Sequence, residues 1–199
     1  MEICQICEKS TEECICCPEC GHICGLDNGE NYCPVCFPKN KSSDQLNHKN
    51  EHYMHLALKE AEAAFIKGEV PVGAVLVKGN TVLAKAHNTK ETKADPTAHA
   101  EITVIRDGAS KIGDWRLTGA TLYVTKEPCI MCAGAMANAR LCRLVYGCRD
   151  ERYGAVESRY QILSDKRLNH QVEVVSGIME NECAGILKKF FVKLRNTHE

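Results

Sequence analysis

The sequence predicts an α/β fold, a mixed five-stranded sheet covered by helices, plus a small N-terminal zinc-binding module. Three observations carry this reading. Two Val/Leu-rich runs in VPVGAVLVKGNTVLAKAHN are split by Lys-Gly-Asn, which is a hairpin signal. Strand-like and helix-like segments then alternate to the end, and a hairpin followed by such alternation gives a sheet that is neither purely parallel nor purely antiparallel. Nine of the 14 cysteines (Cys4, Cys7, Cys14, Cys16, Cys17, Cys20, Cys24, Cys33 and Cys36) fall in the first 36 residues, and that asymmetry draws a domain boundary.

Residues 1–37 form the Cys-rich module, too short for an ordinary core. Residues 38–50, PKNKSSDQLNHKN, are polar and lack apolar periodicity, so they are read as a linker to a larger domain over 51–199. From Glu51 the pattern becomes helical, with Met54, Leu58, Ala61 and Phe65 at spacings of four, three and four until Gly68 stops it. The hairpin follows. Beyond it come a helix over about 98–112, a strand in ATLYVT (120–125), a helix over about 129–139 and a strand in CRLVYG (142–147). A poorly periodic segment leads to a fifth strand in VEVVS and a last helix with Cys183, Leu187, Phe190, Phe191 and Leu194 on one face. The expected order is α-β-β-α-β-α-β-α-β-α.

Composition narrows the classes of function. At 199 residues and 44% apolar, the chain suits one medium domain plus a small module. No run of 18 apolar residues occurs, and MEICQICEKS has no charged-then-apolar signal region, so neither a membrane nor a secretory role is indicated and the expected compartment is the cytoplasm. In that reducing setting, 14 cysteines point to metal before disulfides. The net charge of −1 hides a division: residues 1–50 hold four Lys+Arg against eight Asp+Glu, and the remainder 21 against 18. Lys188, Lys189, Lys193 and Arg195 crowd the last helix as a patch suited to phosphate.

The chemistry concentrates in two motifs. TAHAEI (97–102) sets His99 and Glu101 two positions apart; thirty residues after His99, EPCIMC (127–132) sets Cys129 and Cys132 three apart. On a helix the two cysteines share a face, Pro128 suits the first turn, and a helix N-terminus favours thiolates. Two thiolates and one imidazole make three zinc ligands, leaving a fourth position for water, which marks a catalytic rather than a structural site. Residues two apart on a helix do not face each other, so Glu101 is expected to point to the open side, where a carboxylate moves protons. His-x-Glu with Pro-Cys-x-x-Cys is the signature of zinc-dependent nucleobase deaminases.

From about residue 52 to 195 the chain resembles the bacterial tRNA-specific adenosine deaminases of the cytidine-deaminase-like superfamily. The resemblance rests on EVPVGAVLV, DPTAHAEI, ATLYVTKEPCIMCAGAMANAR and NHQVEVVSGIMENECAGILKKFF. It implies a three-layer α-β-α fold, one catalytic zinc, a homodimer, and the wobble adenosine of a tRNA anticodon as substrate, converted to inosine. By motif position it implies that Asn88 hydrogen-bonds the base, that Val72 lines the pocket, that the Ala100 backbone contacts the base, and that Asp150 meets the sugar-phosphate. Phe191 and Arg195 are expected RNA contacts of the last helix. One loop departs from the family: where a Lys-Thr-Gly-Ala-Ala-Gly-Ser-like stretch usually follows the aspartate, here stands ERYGAVESRY (151–160), with Glu157 in place of a glycine. A carboxylate there opposes phosphate, which leaves deamination of a free guanine, cytosine or adenine base or nucleoside as the alternative.

In the N-terminal module, CPEC (17–20) and CPVC (33–36) lie 12 residues apart, a zinc-ribbon spacing that gives a four-thiolate site from Cys17, Cys20, Cys33 and Cys36. Cys4 and Cys7 make a third knuckle, and Cys14, Cys16, His22 and Cys24 can complete a second site. The arm's acidity favours a structural or partner-binding role over phosphate contact. Cys142, Cys148 and Cys183 are expected as small buried hydrophobes. Trp115 is expected in the core or an interface, and His52 and His55 on the surface or seam of the first helix.

Overall fold

The computed structural model describes residues 43–197. The cysteine-rich module and its expected zinc ligands, Cys4, Cys7, Cys17, Cys20, Cys33 and Cys36 among them, lie outside the described residues. The first helix, α1, spans Ser43–Ile66. It begins well before Glu51, so residues 43–50 of the segment read as a linker are helical. Their stability comes from tertiary hydrogen bonds rather than an apolar stripe: Lys49 Nζ donates to Gly79 O and Asn80 Oδ1, both at 3.1 Å, and Asn50 is buried where its Oδ1 accepts the Tyr123 hydroxyl at 3.3 Å. The buried line of α1 is Met54, Ala57, Ala61 and Ala64, with Leu58 and Phe65 on its flank rather than at its centre.

The sheet has the order β2-β1-β3-β4-β5. Strands β1 (Gly73–Lys78) and β2 (Thr81–His87) form the expected hairpin, closed by Gly79–Asn80 with Gly79 at φ +61°. β1 also runs antiparallel to β3 (Ala120–Lys126), whereas β4 (Arg143–Cys148) and β5 (Glu173–Val175) add in parallel. The mixed five-stranded sheet is thus as the sequence predicts. Between β2 and β3 lie a single turn, α2 (Lys90–Lys93), and α3 (Ala100–Ile112); α4 (Ile130–Asn138) joins β3 to β4, and α5 (Glu180–Thr197) ends the described chain. The helix expected between β4 and β5 is reduced to a 3₁₀ turn at Ile162–Ser164, because that segment carries no 3.6-residue apolar period.

Alternation along the strands makes three layers. Leu76, Leu122 and Leu144 pack in one cluster with Val104 of α3 and Met136 of α4, while Val75, Val77, Tyr123 and Val145 cluster with Tyr53, Met54 and Ala57 of α1 and Cys183 of α5. A side chain at Gly73 would sit within 2.8 Å of Glu60 Cβ and collide with the α1 backbone at Ala57 and Ala61, so the glycine lets α1 lie directly on β1. Cys142, Cys148 and Cys183 are buried as expected, and His52 and His55 are exposed on α1. Trp115 is not core: it is 54% exposed, with the Arg116 guanidinium 4.2 Å from its ring centre. The stripe expected on α5 stops at Phe190, which packs edge-on against Phe65; Phe191 and Leu194 are exposed. No helix among the described residues is long and apolar enough to cross a membrane.

Candidate active site

Both motifs sit at helix starts beyond the ends of strands, where the chain leaves an extended conformation. His99 is the N-cap of α3 (φ −76°, ψ 150°) and Cys129 the N-cap of α4 (φ −77°, ψ 175°). Cys129 therefore lies just outside the helix and Pro128 one residue further out, rather than inside the first turn as the sequence suggested. The cysteine pair still converges, because the N-cap and the third helical residue, here Cys132, are the positions a capping box brings together. Cys129 Sγ lies 3.7 Å from Cys132 Sγ and 3.7 Å from His99 Nδ1, and Cys132 Sγ lies 3.5 Å from His99 Nδ1.

Those separations are the edges of a tetrahedron around a zinc-sized ion: Zn–S of 2.3 Å and Zn–N near 2.0–2.1 Å place S···S at about 3.8 Å and S···N at about 3.6 Å. His99, Cys129 and Cys132 are the one group of metal-ligating side chains found together among the described residues. The electrostatics suit a cation. The Cys129 thiol is lowered to about 4 by its hydrogen bond with Cys132 and, against burial, by His99. The Cys132 thiol is pushed up by that same contact and by burial. A divalent ion between the sulfurs holds both as thiolates. The His99 imidazole is raised through Cys129, with burial opposing.

Glu101 is buried beside the ligand group rather than facing solvent. It is 4% exposed, its carboxyl interacts with the Cys132 thiol, and burial raises its affinity for a proton. As the second residue of α3, it points back along the helix toward the N-terminus, and hence toward the ligand group. Its Oε2 is buried and has no hydrogen-bond partner among the described residues, a property shared only with Thr89 Oγ1. A buried carboxylate oxygen without a partner, beside three metal-ligating atoms, fits a site that holds a metal and a water.

The remaining expected residues divide into two groups. Val72, Asn88 and Ala100 come together: Asn88 N–H donates to Val72 O at 3.0 Å, and Asn88 Oδ1 accepts the Ala100 N–H at 3.1 Å. The Ala100 amide is thus engaged by Asn88, which leaves the Asn88 amide group as a donor. Asp150 is buried, paired with Lys126 Nζ at 2.5 Å, and accepts the Arg152 N–H at 3.0 Å. Phe191 and Arg195 are exposed on α5. The unusual Glu157 has no positive φ, so its position does not demand glycine. Its carboxylate accepts the Tyr146 hydroxyl at 2.5 Å and pairs with Arg149 at 3.3 Å, which neutralises the charge that would oppose phosphate.

Two carboxylates that the motifs did not single out organise the surroundings. Glu69, 1% exposed, accepts the N–H groups of Glu91 (3.1 Å) and Thr92 (2.7 Å), fixing the turn between Asn88 and His99. Glu127 accepts the N–H groups of Asp150 (3.0 Å), Val156 (3.1 Å), Glu157 (2.8 Å) and Ser158 (2.9 Å), and the Ser158 hydroxyl. Burial pushes the Glu127 carboxyl up, but these donors outweigh it and hold it below the usual range. A side chain on Gly154 would strike the Glu127 carboxylate and come within 2.6 Å of Asp150 O. The available signal was a lone acid beside an apolar run, GEVPVG for Glu69, and the acid that precedes Pro-Cys in YVTKEPC for Glu127.

Comparison with known proteins agrees with this geometry. The MafB19-like deaminase family profile matches residues 47–195. A tRNA-specific adenosine deaminase of Bacillus subtilis is 50% identical over 147 residues, covering 74% of this chain and 91% of its own. Its counterpart in Streptococcus pyogenes is 43% identical over 140 residues, covering 70% and 82%. A structure solved in work on A-to-I editing by tRNA:A34 deaminases at the wobble position of transfer RNA superposes with a TM-score of 0.66 at 49% identity, covering 68% of this chain and 98% of that one. Matched by that family profile over residues 47–195 and 50% identical to the Bacillus subtilis enzyme over 91% of its length, the chain belongs to the tRNA-specific adenosine deaminase family, within the cytidine-deaminase-like fold.

Proposed function

We propose that the protein is a zinc-dependent hydrolase that converts adenosine to inosine at the wobble position of a tRNA anticodon. The observation that carries the reading is the triangle of His99 Nδ1, Cys129 Sγ and Cys132 Sγ with the buried Glu101 carboxylate against it. Zinc in that triangle supplies the Lewis acid that makes water a nucleophile at neutral pH. Glu101 takes a proton from the attacking water, gives it to the ring nitrogen beside the carbon under attack, and then serves the leaving amine, so adenosine and water become inosine and ammonia. Val72 bounds the purine pocket, Asn88 donates to the base, and the Ala100 backbone, held by Asn88, contacts the base as well. Asp150 meets the sugar-phosphate side, while Phe191 and Arg195, with Lys188 and Lys189, contact the anticodon loop from α5. An unpaired loop base gives up little stacking on entering such a pocket.

The reading extends to a homodimer in the cytoplasm whose subunits complete one another's substrate surface. For residues 1–37 it extends to a zinc-ribbon-like arm with one or two structural zinc ions. The deciding experiment presents the zinc-loaded full chain with an anticodon stem-loop carrying a wobble adenosine and, separately, with free bases and nucleosides. Inosine in the stem-loop supports the proposal; ammonia released only from free bases or nucleosides overturns it.

A further inference from the structure

An exposed aromatic ring on a soft loop is unremarkable, but Tyr153 is not on a soft loop. The chain from Asp150 to Ser158 is tied to Glu127 by four backbone N–H groups, and its turn is closed by Arg152 N–H to Asp150 Oδ1 (3.0 Å) and Gly154 N–H to Asp150 O (2.8 Å). Tyr153 is the tip of that turn. It is 68% exposed and, among the described residues, its hydroxyl has no hydrogen-bond partner.

The turn also touches the reaction centre. Gly154 forms an isolated antiparallel bridge with Cys129, and Ala155 N–H donates to Pro128 O at 2.8 Å. The ligand candidate Cys129 is thus paired with Gly154, the residue after Tyr153, and the residue after Cys129, Ile130, is exposed as well. The nearby charges sort themselves. Asp150 is taken by Lys126 and Glu157 by Arg149, whereas the exposed Arg152 side chain has no partner among the described residues; Glu151 is the exposed acid of the turn. An exposed aromatic side chain on a pinned turn, next in sequence to an exposed arginine and one residue from the partner of Cys129, matches the way proteins hold unpaired nucleic acid. Bases stack on the ring whatever their identity, and the cation meets the backbone.

We propose that Tyr153 stacks on the base flanking the deaminated adenosine and that Arg152 contacts the phosphate between the two nucleotides, so that the departing loop selects an RNA strand over a free base. This rests on the tRNA reading above.

The test uses the zinc-loaded full chain and the anticodon stem-loop. Tyr153→Ala is expected to raise KM roughly ten-fold or more, with kcat, zinc content and Tm little changed. Tyr153→Trp and Tyr153→Phe are expected to restore it. Removing the base on one side of the target adenosine is expected to weaken the wild type to the level of Tyr153→Ala while leaving that variant unaffected. Arg152→Ala is expected to reduce the slope of log kcat/KM against log salt by about one. An unchanged KM in Tyr153→Ala, or a loss that accompanies an altered sedimentation coefficient and so marks a contact between copies, overturns the proposal. If the wild type forms no inosine in the stem-loop, the functional reading fails and this inference falls with it; normal wild-type activity with an unaffected Tyr153→Ala sinks the inference alone.

Discussion

Glu127 Oε1 accepts the backbone N–H of Ser158 at 2.9 Å across 31 positions of sequence, and the same carboxylate gathers three further N–H groups and the Ser158 hydroxyl. The Cys129 segment and the loop after β4 are therefore one unit. Glu127→Gln places an amide N–H₂ where only acceptors are wanted, and each buried N–H left unpaired costs about 1–3 kcal/mol. Thermal unfolding of the variant is expected to shift down by several degrees at neutral pH. Because the folded carboxyl lies below its ordinary value, this stabilisation is complete above about pH 4.5 and is lost as the pH falls through the folded pKa. The gap between wild type and Glu127→Gln should narrow in that acid range, as paired melting curves would register.

Glu101→Gln keeps all three ligands and removes the proton carrier. Turnover is expected to fall by roughly 10²–10⁴-fold, with about one zinc per domain retained by elemental analysis. Cys132→Ala is expected to lose both turnover and metal. If Glu101→Gln retains most of its turnover, the carboxylate is not the carrier.

Two glycines separate stability from activity. Gly73→Ala forces a methyl group into the α1 backbone, so it should destabilise the domain by about 1–3 kcal/mol or more and lower its unfolding temperature. Gly154→Ala strikes the Glu127 carboxylate, and its main expected effect is lost turnover through displacement of the loop beside Cys129. Denaturant curves and initial rates on the two variants distinguish these outcomes.

His170 is buried with its Nε2–H donating to Leu141 O at 2.7 Å, which anchors the start of β4. Burial, with Arg140 nearby, holds the imidazole below its ordinary value against the pull of that hydrogen bond. The unfolded chain thus takes up a proton first, and stability declines as pH falls below about 6.5. His170→Gln should flatten that slope in denaturant titrations between pH 5 and 7.5; an undiminished slope assigns it to other groups.

The hairpin and the metal-ligand group were legible because each is written locally. Lys-Gly-Asn between apolar runs closes β1 and β2, and the spacings His-x-Glu and Cys-x-x-Cys are set by one turn of helix each. The start of α1 was illegible because Lys49 and Asn50 find their partners at Gly79, Asn80 and Tyr123, beyond any local period. Glu157 looked like a charge facing substrate for a similar reason: Tyr146 and Arg149, which absorb it, come from β4 and the residue after it. Trp115 was expected in the core or an interface; its 54% exposure removes the core, and no local signal separates the two.

That indole sets a practical rule for watching the protein. It is the chain's single tryptophan, placed before β3 begins, while Cys129 follows the other end of that seven-residue strand, which is itself roughly 20 Å long. Its fluorescence should stay red-shifted and steady while RNA comes and goes, so a dye near the mouth of the pocket, not intrinsic emission, is the right reporter for titrations.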